Sequence, residues 1–436
     1  MISDYSKYKV SKAFIFGLSI VVILWLFGPY EYKIYDYGGI VYFAFCCFLL
    51  LLGMRCRNLV FRRKSINDES NDSRIIHFYL SDKAVLFMCV IDIISIIAAL
   101  YYLSMLKQQV GIDFTYGQAD YRGVISENRN NLSRASEALM HLSAPIYIII
   151  NSSSTNLSRG KSALVLLGYW STPLAYLGAG ARWSLYFYLV LFIQFAKMRR
   201  GGHLLKRNLS PKTILFAVVS VALIIFVLSI VYNLFEVRGL YKADELFLFE
   251  KGDMHLRKYA QYLYDKTNGA LNALYKVSNY FSHSIVAFTY TFKYYDTSTP
   301  IMFGLYSLSV LQYIFIPFGL KTDYMKNIIY SIPGSGVYLT YLHGYFIDFG
   351  MYLTPVIVFI TGFLFSKVQK YANSRILCRC LFPYILVMCF IAPIYNMWNV
   401  AIVNIDLFVV VILIKFLKRF HYLEICEDEN VLINER

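Results

Sequence analysis

The stretch FEVRGLYKADELFLFEKGDMHLRKYAQYLYDKTNGALNALYKVSNYFSHSIVAFTYTFKYYDTSTPIMFGLYSLSVLQYIFIPFGLKTDYMKNIIYSIPGSGVYLTYLHGYFID, residues 235–348, stands between two apolar segments, 213–234 and 349–365. Each is near the length a membrane-crossing helix needs. Connections inside a compact domain run to a few residues, so a link of more than a hundred is a working part of the molecule. Its charge also sets it apart. Ten Lys or Arg stand against nine Asp or Glu here, whereas the whole chain carries 42 basic and 27 acidic residues, net +15. The basic excess lies elsewhere, and where it lies decides the topology.

With 58% hydrophobic and 16% charged residues, the chain has too much apolar surface for one soluble core and too few charges to keep a surface wet. It reads as an all-α polytopic membrane protein. The basic balance is then a matter of membrane sidedness before it is one of nucleic acid, because Lys and Arg gather on the cytoplasmic side.

Seven spans precede the long stretch: 12–27, 37–54, 84–105, 138–151, 162–177, 183–196 and 213–234. Three follow it: 349–365, 380–397 and 400–417. The fourth is short for ~20 residues and is expected to borrow its first turns from the outer loop 106–137. Basic clusters mark every inner end: Lys7, Lys9 and Lys12; Arg55 to Lys64; Arg159 and Lys161; Lys197 to Lys212; Lys367 to Arg379; Lys418 and Arg419. The expected organisation is a membrane bundle over 1–234, a large outer loop over 235–348, a second bundle over 349–417 and a cytoplasmic tail over 418–436. Both termini are then inside. Two further apolar runs, 287–292 and 301–318, lie within the long stretch. They are amphipathic or re-entrant helices, or they cross as a hairpin and raise the count from ten to twelve.

Cysteines fall in spans (Cys46, Cys47, Cys89, Cys389) or at inner ends (Cys56, Cys378, Cys380, Cys426), so no disulfide framework is expected. No Cys/His spacing suggests zinc. Tyr and Trp abundance reads as an interfacial belt, with sugar-stacking platforms in the outer loops as the alternative.

The sharpest single residue is Arg182 in YLGAGARWSLYFYLVLFIQFAK, residues 176–197, a guanidinium at an outer boundary with an apolar span directly behind it. A charge there either snorkels to the headgroups or binds a partner, and the planar fork of Arg suits phosphate. Glu236 and Arg238 leave the seventh span in FEVRG, and His343 and Asp348 enter the eighth in YLHGYFIDFG. Folded back as a cap, these ends would bring cations for a diphosphate together with a base for a hydroxyl. Arg122, in the YRG of the other outer loop, is a further anion-binding candidate. His255 and His283 are weaker candidates, more simply read as satisfied polar groups. Two acids inside spans, Asp92 and Asp406, permit a transporter reading or local pairing with Tyr hydroxyls or amides. No Walker loop, GxSxG, outward acidic pair or internal repeat is present, so nucleotide-driven transport and metal-dependent sugar transfer lack their usual residues.

The order of elements resembles the O-antigen polymerase family of bacterial inner membranes. The resemblance rests on an Arg after small residues at an outer boundary (GAGAR, Arg182), a long outer loop opening with Arg (EVRG, Arg238), and an exit into a span through DFG (Asp348 to Gly350). It implies a GT-C-like helical fold and a metal-independent glycosyltransferase without cofactor. The implied reaction transfers a growing glycan from undecaprenyl diphosphate to the acceptor sugar of a lipid-linked repeat unit at the periplasmic face, with an inner-membrane chain-length regulator as partner. The proposed roles are Arg182, Arg238 and Arg122 on the diphosphate, and His343, Asp348 or Glu236 as base. The competing classes are a flippase or polysaccharide exporter for the same lipid-linked units, and the ligase that moves finished glycan to lipid A core.

Overall fold

A helix buried in hydrocarbon satisfies its own backbone, so a chain this apolar is expected to be helical wherever it crosses lipid. The computed structural model describes residues 5, 8–62, 76–110, 131–178, 182–199, 254–267, 271–308, 340–396 and 401–426. These residues are mostly helical, and four of the helical runs are long and apolar enough to cross a membrane: Val10–Phe27, Tyr37–Cys56, Asp82–Met105 and Tyr341–Lys370. The chain is a helical membrane protein.

The helices, in order, are α1 (Val10–Phe27), α2 (Tyr37–Arg62), α3 (Asp82–Val110), α4 (Asn131–Met140), α5 (Ser143–Ser152), α6 (Arg159–Gly178), α7 (Arg182–Arg199), α8 (Lys258–Lys266), α9 (Asn272–Tyr294), α10 (Tyr341–Lys370), α11 (Ile376–Ile391) and α12 (Ala401–Arg419). Four short strands make two antiparallel pairs, β1 (Tyr30–Tyr32) with β3 (Met254–Leu256) and β2 (His77–Leu80) with β4 (Leu423–Cys426). The expected fourth span is two helices, broken at His141 and Leu142, and the outer loop does contribute its first half as α4. The expected seventh span, 213–234, lies outside the described residues.

One end of the bundle gathers the segments that carry the basic clusters. There the β2–β4 pair meets the chain after α5, through Ser154 N–H to the Phe78 carbonyl and Leu80 N–H to Thr155 Oγ1 at 2.7 Å. The N-terminal segment joins the same end, with Tyr5 N–H donating to Asn373 Oδ1 and Val10 N–H to Gln369 Oε1, both at 3.0 Å. At the centre sits Arg379. The sequence offers it only as one of several basic markers, yet it is fully buried. Its Nη2 donates to the carbonyls of Asn373 (2.6 Å) and Ile76 (2.7 Å), and its Nε to that of Ala372 (3.1 Å). The guanidinium also lies 4.6 Å from the centre of the Phe78 ring, within cation–π range. One side chain thus ties the α10–α11 turn to the β2–β4 pair.

The described part of the long stretch lies at the opposite end. It pairs β3 with β1, and Arg257 fixes the pairing by donating from Nε to the Tyr30 carbonyl at 3.1 Å. α9 then lies across this end: Ser278 sits by Gly28 at the close of α1, while Thr289 and Phe292 sit by Gly39 at the start of α2. Phe288 dips between Tyr42, Phe43 and Phe346.

α10 is a folded hairpin. Gly350 takes φ 64°, ψ −175°, outside helical space and in a region glycine tolerates. In a straight helix Tyr345 and Thr361 would stand about 24 Å apart. Their hydroxyls are 3.1 Å apart, so residues 341–349 run back alongside the long arm, 351–370. The long arm packs on α2 through Gly362 and Gly53, where an added Cβ would collide with the partner backbone. The apex of the hairpin, not the start of a straight span, is where the DFG triplet sits.

Replacing Arg379 by Ala would leave two buried carbonyls and one part-buried carbonyl without their charged donor, at a cost on the order of 3 kcal/mol, and Lys lacks the fork to replace it. Thermal unfolding of the purified variants in detergent checks this. Midpoints equal to wild type would remove Arg379 from its structural role.

Candidate functional site

Under α9, the short arm of α10 and the 392–396 turn bring together a set of buried polar groups. His343, in the first turn of the short arm, is fully buried, with Nε2 2.8 Å from Thr291 Oγ1 on α9 and its ring edge-on to Phe288 at 5.1 Å. Its Nδ1 has no hydrogen-bond partner among the described residues. His283, one helical face along α9, lies 2.7 Å from the Asn279 carbonyl through Nδ1, so that nitrogen carries the proton. Gly344 lets Asn396 and Ser307 close on the short arm, where a Cβ would collide with both side chains. Ser284 Oγ donates to the Pro393 carbonyl at 3.0 Å and fastens α9 to the same turn. An imidazole held at one nitrogen by a hydroxyl, with the other nitrogen unengaged, is equipped to take or give a proton.

Asp348, five residues on, is engaged differently. Its Oδ1 accepts the Tyr306 N–H and its Oδ2 the Ser307 N–H, both at 2.8 Å. Its backbone carbonyl accepts the N–H groups of Met302 and Phe303. The turn it holds contains two residues of positive φ, Phe303 at 50° and Gly304 at 90°. The carboxylate replaces the ladder of bonds that such a turn cannot make for itself. Asp348 therefore shapes the site by fixing this turn against the hairpin apex.

Of the expected diphosphate ligands, Arg182 is the first residue of α7, at the end of the bundle away from Arg379. Arg122, Arg238 and Glu236 lie outside the described residues. His343 and Asp348 are brought onto one short arm. Thr291, Ser307 and Asn396 complete the cluster and carry no sequence signal beyond being polar residues in apolar surroundings.

Both intraspan acids are fully buried. Asp406 on α12 accepts from Tyr188 at 2.9 Å and Tyr384 at 3.3 Å, so the expected pairing with Tyr hydroxyls is found. Asp92 on α3 stands beside Ser143, its carboxylate filling the place a side chain at position 168 would take. Three tyrosines, Tyr169, Tyr188 and Tyr384, are fully buried in the bundle. No group of three or more His, Cys, Asp or Glu among the described residues has metal-binding geometry.

The chain matches no protein-family model, no curated protein and no solved structure. Its functional reading rests on its own residues.

Replacing Asp348 by Asn turns one acceptor into a donor facing a backbone N–H. The expected loss is about 1–3 kcal/mol. It should appear as a lower unfolding midpoint and as faster proteolytic cutting near residues 302–308. Wild-type resistance in D348N would mean that the turn stands without the carboxylate.

Proposed function

We propose that this protein is a membrane-embedded polysaccharide polymerase of the O-antigen polymerase type, acting on undecaprenyl diphosphate-linked glycans at the outer face of a bacterial inner membrane. The observation that carries the reading is the folding back of the described part of the long stretch onto the bundle end opposite the basic clusters, over the buried imidazole of His343. In this reading the bundle has ten spans in a GT-C-like arrangement, and both termini are cytoplasmic.

The reaction needs no nucleotide, because the anomeric carbon is already activated by the diphosphate. The acceptor hydroxyl oxygen attacks that carbon, the bond from carbon to diphosphate oxygen breaks, and undecaprenyl diphosphate leaves. The hydroxyl proton passes to a base. His343 suits this role through Nδ1, with Thr291 fixing the ring from the other side. Asp348 positions the turn, and Glu236 is the alternative base. Arg182, Arg238 and Arg122 stabilise charge on the departing diphosphate. Because His343 is fully buried, α9 must shift to admit the acceptor sugar. A chain-length regulator in the same membrane is the proposed partner.

The broken α4–α5 segment and the buried acids beside it favour one second reading, a transporter for the same lipid-linked units. Deleting the gene separates the two. Collapse of the lipopolysaccharide ladder to core plus one repeat unit supports the polymerase, whereas core with no repeat attached points to a flippase or ligase. In a polymerase, Arg182→Lys keeps the charge but loses the fork, and is expected to shorten chains. Full-length chains from that variant would remove Arg182 from the diphosphate site.

Topology is checked separately with reporter fusions at Gly252 and Asp296. Both are expected on the outer side, because the two ends of α9 meet the same end of the bundle. A cytoplasmic signal at Asp296 would favour a crossing hairpin and twelve spans.

A further inference from the structure

Away from the His343 cluster, a second chain of titratable groups runs through the break between α4 and α5. Asp406 Oδ1 lies 3.4 Å from His141 Nδ1, and His141 Nε2 lies 2.7 Å from the Tyr176 hydroxyl. That hydroxyl lies 3.3 Å from Oε1 of Glu137, which is half-buried at the end of the bundle away from the β2–β4 pair. Asp406 and His141 are 0% and 1% exposed.

Two of the three links are hydrogen bonds, while His141 Nδ1 and Asp406 Oδ1, 3.4 Å apart, have no hydrogen-bond partner among the described residues; each link needs one hydrogen to close. Tyr176 supplies one and a neutral imidazole supplies one. The third is an additional proton, which completes the chain whether it rests on Glu137, on His141 as imidazolium, or on Asp406. Among the described residues, the groups facing the pair do not supply it. Tyr188 and Tyr384 spend their hydroxyl protons on Asp406 Oδ2, and Tyr169 donates to the Tyr188 carbonyl at 2.6 Å. Tyr102 packs its ring against that of Tyr176, centroids 6.2 Å apart. Asp406 has no Lys or Arg among its described partners.

We propose that His141 and Asp406 form a proton-binding site, loaded from the outer face through Glu137 and Tyr176. This site is independent of the sugar-transfer reading. A proton arriving at the Glu137 carboxylate is passed on as Tyr176 accepts it and releases its own proton to His141 Nε2, while the Nδ1 proton moves to Asp406. No atom other than hydrogen changes place. Among the described residues the chain ends at Tyr188 and Tyr384, so the site is one-ended, a store rather than a conduit. Its position matters mechanically. His141 is itself a residue of the helix break, and the Met140 carbonyl that the break frees is held by Ser95 and Thr172. Loss of the third proton opens one of the three links at that joint.

The test is infrared pH-difference spectroscopy of the purified full-length protein in lipid vesicles, with the proton as the only ligand. Wild type should show a carboxyl or imidazolium protonation event that is lost in both D406N and H141Q and kept in D92N. Tyr176→Phe preserves ring packing while removing the relay hydroxyl. It should keep the event but slow its exchange on transfer to D2O by about tenfold or more, equivalent to ~1.4 kcal/mol in barrier. An event that survives D406N and H141Q, one lost in D92N alone, or no event in wild type would overturn the site. Exchange as fast in Y176F as in wild type would overturn the route.

Discussion

The structure depends on one buried guanidinium. Arg379 reaches carbonyls on both sides of the joint between α10 and the β2–β4 pair, adding to the backbone bond there from Ile76 N–H to the Asn373 carbonyl at 3.1 Å. Water does not reach carbonyls buried inside such a joint, so a charged donor with several N–H groups in a plane is an economical answer. The N-terminal segment reaches the same turn through Asn373, which accepts the Tyr5 N–H. Parts of the chain far apart in sequence are held at one end by Arg379 and the side chains around it, and the spans between them inherit their relative placement.

The polar interior follows from departures from straight spans. α4 and α5 break at His141, and α10 reverses at Gly350. Each departure frees backbone groups that side chains then meet: Ser95 and Thr172 at the Met140 carbonyl, Thr354 at the carbonyls of Tyr345 and Gly350. Both clusters of buried titratable groups lie beside these places. Irregular backbone inside an apolar bundle is costly unless it is covered, and the covering residues are the ones able to do chemistry.

The sequence made the helical membrane class legible, because apolar runs are local properties of the chain. Eight of the helices begin or end near the expected span limits, and the apolar run around 287–292 falls in a helix across the bundle end. The hairpin in α10 was hidden, since YLHGYFIDFGMYL is apolar on both sides of Gly350 and hydropathy has no direction. Arg379 was hidden for a related reason: an arginine behind an apolar run reads the same whether it faces solvent or the carbonyls of a buried turn. Asp406 was visible as an intraspan acid, and its Tyr partners were foreseeable. His141 was not, because one histidine between two apolar helices gives no sign of which acid it will meet. The pairing of β2 with β4 joins residues too far apart in sequence for any local pattern to announce.

That last pairing has a consequence for how the molecule is made. β2 is complete by Leu80, but its only described partner strand ends at Cys426, about 340 residues later. At ribosomal speeds of roughly 5–20 residues per second, β2 waits some tens of seconds with an open edge before β4 arrives. An open strand edge is a template for any other strand, so the interval is the period in which this chain is most exposed to pairing with the wrong neighbour. The last strand described is then a closing latch. Assembly of the basic end is timed by the synthesis of β4 rather than by the insertion of the first helices.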